Sequence, residues 1–340
     1  MTVLVLNDTR VDRHNGCYFV MGAIRTLLAR HGLDDVRYWP AHTDPRNDLD
    51  FHTALATAKL VVINGEGTIH HNRPAGKVLL AAGQYARSRG VPVALINTGW
   101  EANSPELVAT LNSFDLVAAR DSRSASQMGS NGANVRVVPD LSLALAQKPA
   151  TTDKHHRVGI AVTDNVDRLK ALELEHLRRD CDGELLAISH AAPGIRGWAR
   201  FLRDGISLRE DLSHPARLAA LLRMRHSLSQ RGDPDNESFI ATLSGLELLV
   251  SGRFHACTLA LAKMTPIIAQ SSNTGKIAAL FQDAGLDAWR CMGPISVSAI
   301  EDARQRGWSD QERENIILYR QRAVQGAERL FEDMAGLASS

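Results

Sequence analysis

The chain has 340 residues, of which 44% are hydrophobic and 23% charged, and its formal net charge is +1. Those proportions fit a soluble globular chain of about two domains and exclude a disordered tail, a collagen-like fibre and a disulfide-dense mini-protein. The even charge balance also argues against a general nucleic-acid binder, which carries a basic excess or stripe.

From the start of the chain, residues 1–6 are too short an apolar run for a signal peptide and read as a buried first strand. No stretch reaches about 18 apolar residues, so no membrane span is expected. The expected location is the cytoplasm, and docking at the inner face of the cytoplasmic membrane is compatible with it. Strands are expected at 3–6, 60–63, 93–96, 116–118 and 135–138. Helices are expected between them, at 18–30, 77–89, 105–114 and 123–128, with Gly32 and Gly90 placed as C-caps. Residues 147–156 are polar and aperiodic and read as a linker. The alternation then restarts, with strands at 158–162, 185–189, 248–250 and 266–269. Its helices are expected at 216–228, 238–244, 255–263 and 275–284, and a long amphipathic one at 310–334.

This pattern predicts an α/β protein with two doubly wound Rossmann-type domains facing across a cleft. The divisions are 1–148 and 156–308, with 309–340 a C-terminal helix able to pack back across the junction. The four cysteines, 17, 181, 257 and 291, have neither C-x-x-C nor zinc-finger spacing, so reduced thiols and no metal are expected.

Ligands of open parallel sheets sit beyond the carboxyl ends of the strands, so the residues there are the candidates. After the first strand come Asn7, Asp8, Asn15 and Gly16, where a helix start suits an anion. Asn64-Gly65-Glu66-Gly67 puts a carboxylate between two glycines, with His70 and His71 just beyond. Thr98 stands in a run, 97–101, that lines the cleft. Arg120-Asp121 and Pro139-Asp140 place charges at further strand ends, as site residues or as internal ion pairs.

The sharpest signal is Ser251-Gly252-Arg253-Phe254-His255, where a buried strand runs into an arginine and a histidine foreign to the apolar pattern on either side. Arginine grips carboxylate or phosphate bidentately, and a histidine at a helix start can move a proton. The run 270–276 adds Asn273, Thr274 and Lys276 ahead of a helix, like a phosphate cradle. Walker A, G-x-G-x-x-G and G-x-S-x-G motifs are absent, which disfavours a P-loop NTPase, a dehydrogenase and an α/β-hydrolase.

In this order the segments resemble the polysaccharide pyruvyl transferase family. The resemblance rests on Asn15-Gly16, the glycine-rich run 64–67, and the block 114–121 with Ser124. It extends through 137–143 and 251–256 to Pro266 and Lys276. It implies a glycosyltransferase-like (GT-B) fold and a phosphoenolpyruvate donor, with no tightly bound cofactor. The acceptor would be a saccharide or lipid-linked saccharide in cell-surface polysaccharide biosynthesis, and the product a pyruvate ketal. It puts Arg253 on the donor's anionic groups and His255 on proton transfer. Glu66, His70, His71 and the 7–9 segment depart from the plainest members and leave the donor open. The first alternative is a GT-B glycosyltransferase using a CMP-activated ulosonic acid such as Kdo, for which Glu66 or Asp164 would be the carboxylate nucleophile. The second is a non-catalytic carbohydrate-binding homologue.

Overall fold

The structure is a computed structural model that describes residues 1–145, 159–190, 235–272 and 274–340. The predicted linker at 147–156, the predicted helix at 216–228 and Asn273 lie outside the described residues. Among the described residues eleven strands form two parallel sheets.

The first sheet has six strands in the order β2-β1-β3-β4-β5-β6. They are β1 Thr2–Asp8, β2 Asp35–Pro40, β3 Ala58–Asn64, β4 Val93–Thr98, β5 Leu116–Ala119 and β6 Arg136–Val137. Alternate residues enter two different cores, because successive side chains of a strand point to opposite faces. Val3, Val5, Leu60 and Val62 pack on α1, Asn15–Arg30. Leu4, Leu6, Val61 and Ile63 pack on the other face, against α2, Leu49–Leu55, and α3, Pro74–Ser88. The remaining helices of this half are α4, Pro105–Leu111, α5, Ser122–Gly129, and α6, Ser142–Leu145.

The second sheet has five strands, β7 Ile160–Asn165, β8 Glu184–Leu185, β9 Leu248–Gly252, β10 Ile267–Gln270 and β11 Cys291–Met292, in the order β11-β10-β9-β7-β8. One face packs on α8, Asn236–Gly245, α9, Phe254–Ala262, and α10, Lys276–Asp283. The other packs on α7, Arg168–Asp180, and α11, Val297–Arg306. The last helix, α12, Asp310–Ser339, serves both sheets. Ile316, Tyr319 and Ala323 join the second sheet's core, and Ala327, Leu330, Phe331 and Met334 join the first sheet's α1 face.

Several expected boundaries move. Helix α1 begins at Asn15 rather than 18, because the His14 ring accepts the Gly16 N–H and caps it. The strand expected at 185–189 shortens to Glu184–Leu185, and Ser189 instead makes an isolated bridge to His14. Elements β2, α2, α6, α7, β11 and α11 were not expected at all. Among the described residues no helix is long and apolar enough to cross a membrane, and no cluster of His, Cys, Asp and Glu could hold a metal ion.

Candidate active site

In both sheets the first strand of the half is flanked by its second and third strands, in β2-β1-β3 and β8-β7-β9. Connections leave such a point toward opposite faces and open a crevice at the carboxyl ends. The first crevice holds 7–9 and 64–66, and the second holds Asp164 and 251–255. The two crevices meet.

Glu66 lies at this meeting point, 3% exposed. Thr9 Oγ1 donates to its Oε2 at 2.8 Å, and the Cys17 thiol donates to its Oε1 at 3.1 Å. Burial, followed by the Glu66 charge, pushes the Cys17 thiol well up, so it stays a donor. His255, at the start of α9 and 8% exposed, faces the same carboxylate. Its Nε2 is 3.4 Å from Glu66 Oε1 and 3.6 Å from Asp140 Oδ2, and it is aligned for a hydrogen bond with neither. Asp140 is fully buried. Burial opposes its charge, but His255, Arg120 and Ser142 outweigh that and hold the carboxyl well below the usual range. Gly16 makes the approach of His255 feasible, because a Cβ there would lie 2.3 Å from the imidazole.

A small cleft of about 40 Å³ adjoins this pair, lined by Arg120, Arg123, Lys276, Glu101, His70 and Thr274 among others. Arg120, 5% exposed, stacks 4.1 Å over the Phe254 ring from the opposite half. Its Nη1 reaches Asp140 at 3.4 Å, while its Nε has no partner among the described residues. Gly99 leaves room for the guanidinium, since a Cβ would lie 3.1 Å from it. Lys276 makes no ion pair among the described residues. Burial first, then Arg120 and Arg253, lower its pKa from 10.5 to about 8. Burial, then Arg73 and His71, push His70 down to about 4, so it is neutral.

The family profile of polysaccharide pyruvyl transferases matches residues 16–272. The chain belongs to that family, a family of transferases. No curated protein matches the chain. Among solved structures, UDP-GlcNAc 2-epimerase from Neisseria meningitidis, bound to UDP-GlcNAc, is similar at TM-score 0.57 and 12% identity, over 98% of this chain and 99% of that one. The UDP-GlcNAc 2-epimerase from Methanocaldococcus jannaschii, in complex with UDP-GlcNAc and UDP, gives 0.55 and 13% over 94% and 99%. HepE from Anabaena, in complex with UDP and glucose, gives 0.50 and 12% over 100% and 97%. At such identities the likeness is one of fold, and it makes this pyruvyl transferase family member GT-B-like.

The residues singled out from the sequence divide into those that line the cleft and those that lie buried behind it. Lys276, Thr274 and His70 line it, while Glu66 and His255 lie buried 3.4 Å from one another, with Gly16 backing the imidazole. Arg253 is largely committed elsewhere. Its Nε and Nη2 bind the two Asp164 oxygens at 2.8 and 2.5 Å. Asp164, tied in this way, is a poor nucleophile and a good anchor for the arginine. Ser251, fully buried, accepts the Arg253 N–H at 3.0 Å and shapes the turn. Asn15 bridges the two halves instead of lining an anion site, with His190 on its Oδ1 at 2.8 Å and Asn236 accepting from its Nδ2 at 3.1 Å.

Four of the remaining candidates are internal. Asn7 donates to the Asn64 carbonyl at 2.6 Å, Asn64 turns toward Glu66, and Asp8 pairs with Arg10. Thr98 is fully buried against Gly65, where a Cβ would lie 2.3 Å from its side chain. His71 is exposed, with its Nδ1 2.9 Å from that of His70. Asp140 and Arg120 were read as site residues or internal ion pairs and Glu101 only as part of the cleft-lining run, whereas Thr9, Cys17 and Arg123 were not singled out. The first two had a signal, a charge at a strand's carboxyl end, but nothing in the chain pairs Asp140 with a histidine 115 positions later.

Proposed function

We propose that the protein transfers the pyruvyl group of phosphoenolpyruvate onto two hydroxyls of a saccharide, forming a pyruvate ketal and releasing phosphate. The observation that carries this reading is the imidazole of His255 held between Glu66 and Asp140. A buried nitrogen 3.4 and 3.6 Å from two carboxylates is placed to take and return protons. The reaction needs that traffic. One acceptor proton must end on the donor's methylene carbon, making it a methyl group. The first acceptor oxygen then adds to the oxocarbenium-like carbon, and the second displaces the phosphate, which carries away the other proton.

Arg120 and Lys276 are the cations with free capacity beside the imidazole, and they supply charge for the departing phosphate. Arg253 keeps one guanidinium nitrogen for the donor while Asp164 fixes its plane. A retaining sugar transfer from a CMP-ulosonic acid needs a free carboxylate nucleophile. Asp164 is paired with Arg253, and Glu66 is engaged by Thr9 and Cys17, which favours the pyruvyl reading.

The test combines phosphoenolpyruvate and a saccharide bearing neighbouring hydroxyls with wild type, His255→Ala and Glu66→Gln. Phosphate release and the ketal methyl signal in proton NMR are followed, with circular dichroism confirming the fold. Wild type should form the ketal, and His255→Ala should lose about 10²–10⁴ in turnover. Consumption of a CMP-ulosonic acid, with phosphoenolpyruvate untouched, would replace this reading with the glycosyltransferase one.

A further inference from the structure

The cleft beside His255 already contains an anion supplied by the protein. The Glu101 side chain comes from the loop after β4 in the first half and reaches the start of α10 in the second. There its Oε2 accepts the Gly275 N–H at 2.9 Å. Among the described residues no side chain of the second half caps α10, and this backbone donor and the positive end of the helix are answered by a carboxylate from across the cleft. The Arg123 guanidinium lies on the other side of Gly275, so close that a Cβ would sit 1.6 Å from Nη1. Lys276 follows directly.

Independent of the helix start, the buried Arg120 lines the same cleft with an Nε that has no partner among the described residues. The Thr274 hydroxyl, in the same wall, is also buried without a partner among the described residues. Three cations, a hydroxyl and a backbone N–H thus converge on a space in which one carboxylate stands as a single-point ligand. Tetrahedral oxyanion geometry fits that donor set better than a carboxylate reaching in from one side.

We propose that Glu101 is an internal competitor in this cleft, holding the place of a phosphoryl group until the dianionic phosphate of a phosphate monoester displaces it. Displacement breaks the Glu101–Gly275 hydrogen bond between the halves, so binding and the interdomain contact exclude one another. The competitor also sets selectivity. A singly charged carboxylate ligand gains little over the resident Glu101, whereas a dianion with three oxygens can satisfy Arg120, Lys276 and the Gly275 N–H together. The identity of the monoester as phosphoenolpyruvate rests on the function proposed above, but the subsite does not.

The experiment is calorimetric titration of the full chain with inorganic phosphate, for wild type, Glu101→Gln and Glu101→Ala. Removing the competitor's charge should tighten phosphate binding about tenfold, the worth of one charge-assisted hydrogen bond, and Glu101→Ala should gain at least as much as Glu101→Gln. Adding Lys276→Met to Glu101→Gln should abolish the gain, which locates it in this cleft. Unchanged or weaker phosphate binding in both Glu101 variants, with melting temperatures showing that both are folded, overturns the proposal. Phosphoenolpyruvate is then titrated against phosphate-loaded Glu101→Gln. Competition supports both readings. Tight phosphate binding that phosphoenolpyruvate does not disturb keeps the subsite and removes the donor assignment.

Discussion

Lys276 is a cleft residue whose charge changes near pH 8. Burial, with Arg120 and Arg253 close by, outweighs the help of Glu66 and Glu101 and puts its pKa at about 8, against 10.5 for an ordinary lysine. Two opposite pH effects follow. Anion affinity depends on the protonated amine, so it is complete below pH 8 and falls as pH rises through that value. Fold stability moves the other way. Between about 8 and 10.5 the unfolded chain holds this proton and the folded one does not, so the Lys276 contribution rises with pH. Phosphoenolpyruvate affinity measured from pH 6.5 to 9.5 should therefore drop above pH 8 in wild type and stay flat in Lys276→Arg, whose charge persists. The Gly16 backbone sets a second constraint at this scale. A methyl group there would lie 2.3 Å from His255, so Gly16→Ala must push the imidazole away from Glu66 and Asp140. Overpacking of this kind costs about 1–3 kcal/mol. The expected result is a modest loss in thermal unfolding and at least a tenfold loss in turnover, because a displaced proton carrier is felt first in the chemistry.

Among the elements, α12 carries the most consequence. Its first turn holds a buried ion pair, in which Arg290, 1% exposed, is gripped by both oxygens of Glu312, 2% exposed, at 2.5 and 2.7 Å. The same carboxylate completes the capping box with Ser309, so one side chain fixes both the start of the helix and the β10–β11 region. Glu312→Gln leaves the guanidinium uncompensated between Trp289 and Trp308 and should cost about 3–5 kcal/mol in denaturant unfolding. A loss below about 1 kcal/mol would show that the pair is dispensable. The strands that build the site were legible because each is buried on both faces and reads as an unbroken apolar run, as in Leu60–Ile63 or Leu248–Val250. Strand β2 was not, because it sits at the sheet edge and only Trp39 among its residues is buried. Helix α7 hid behind its charge, since Glu175, Arg178 and Arg179 pair with one another along it and break up the apolar pattern of its buried Ala171, Leu172, Leu174 and Leu177. Glu66 and His255 could be found because a charged residue just past an apolar strand has no packing role. Their partnership could not, because nothing local in either segment encodes the other's position.

At the scale of the molecule, the halves are joined by groups that also frame the site. Ser142 and Thr258 hydroxyls meet at 2.9 Å, the Ser122 N–H donates to Asp283 at 2.8 Å, and Asn15 meets Asn236 at 3.1 Å. Helix α12 adds apolar side chains to a core on each side. Neither half keeps a complete core without it, so the two should unfold together. Fluorescence of Trp39 and Trp100 reports on the first half and that of Trp289 and Trp308 on the second. Variants retaining one pair should give coincident denaturant transitions, and two separated midpoints would show that the halves are energetically independent. The same helix bears on how the chain is made. Ala327, Leu330, Phe331 and Met334 cover a sheet whose last strand ends at Val137, so they leave the ribosome long after it. Throughout that interval the α1 side of the nascent sheet lacks part of its cover, and apolar residues such as Leu116 and Val138 that α12 will shield remain open to chaperones or to neighbouring chains. Synthesis rate and chaperone supply, as much as equilibrium stability, then govern the yield of folded protein, and a circular permutant that makes α12 before β1 relieves that dependence.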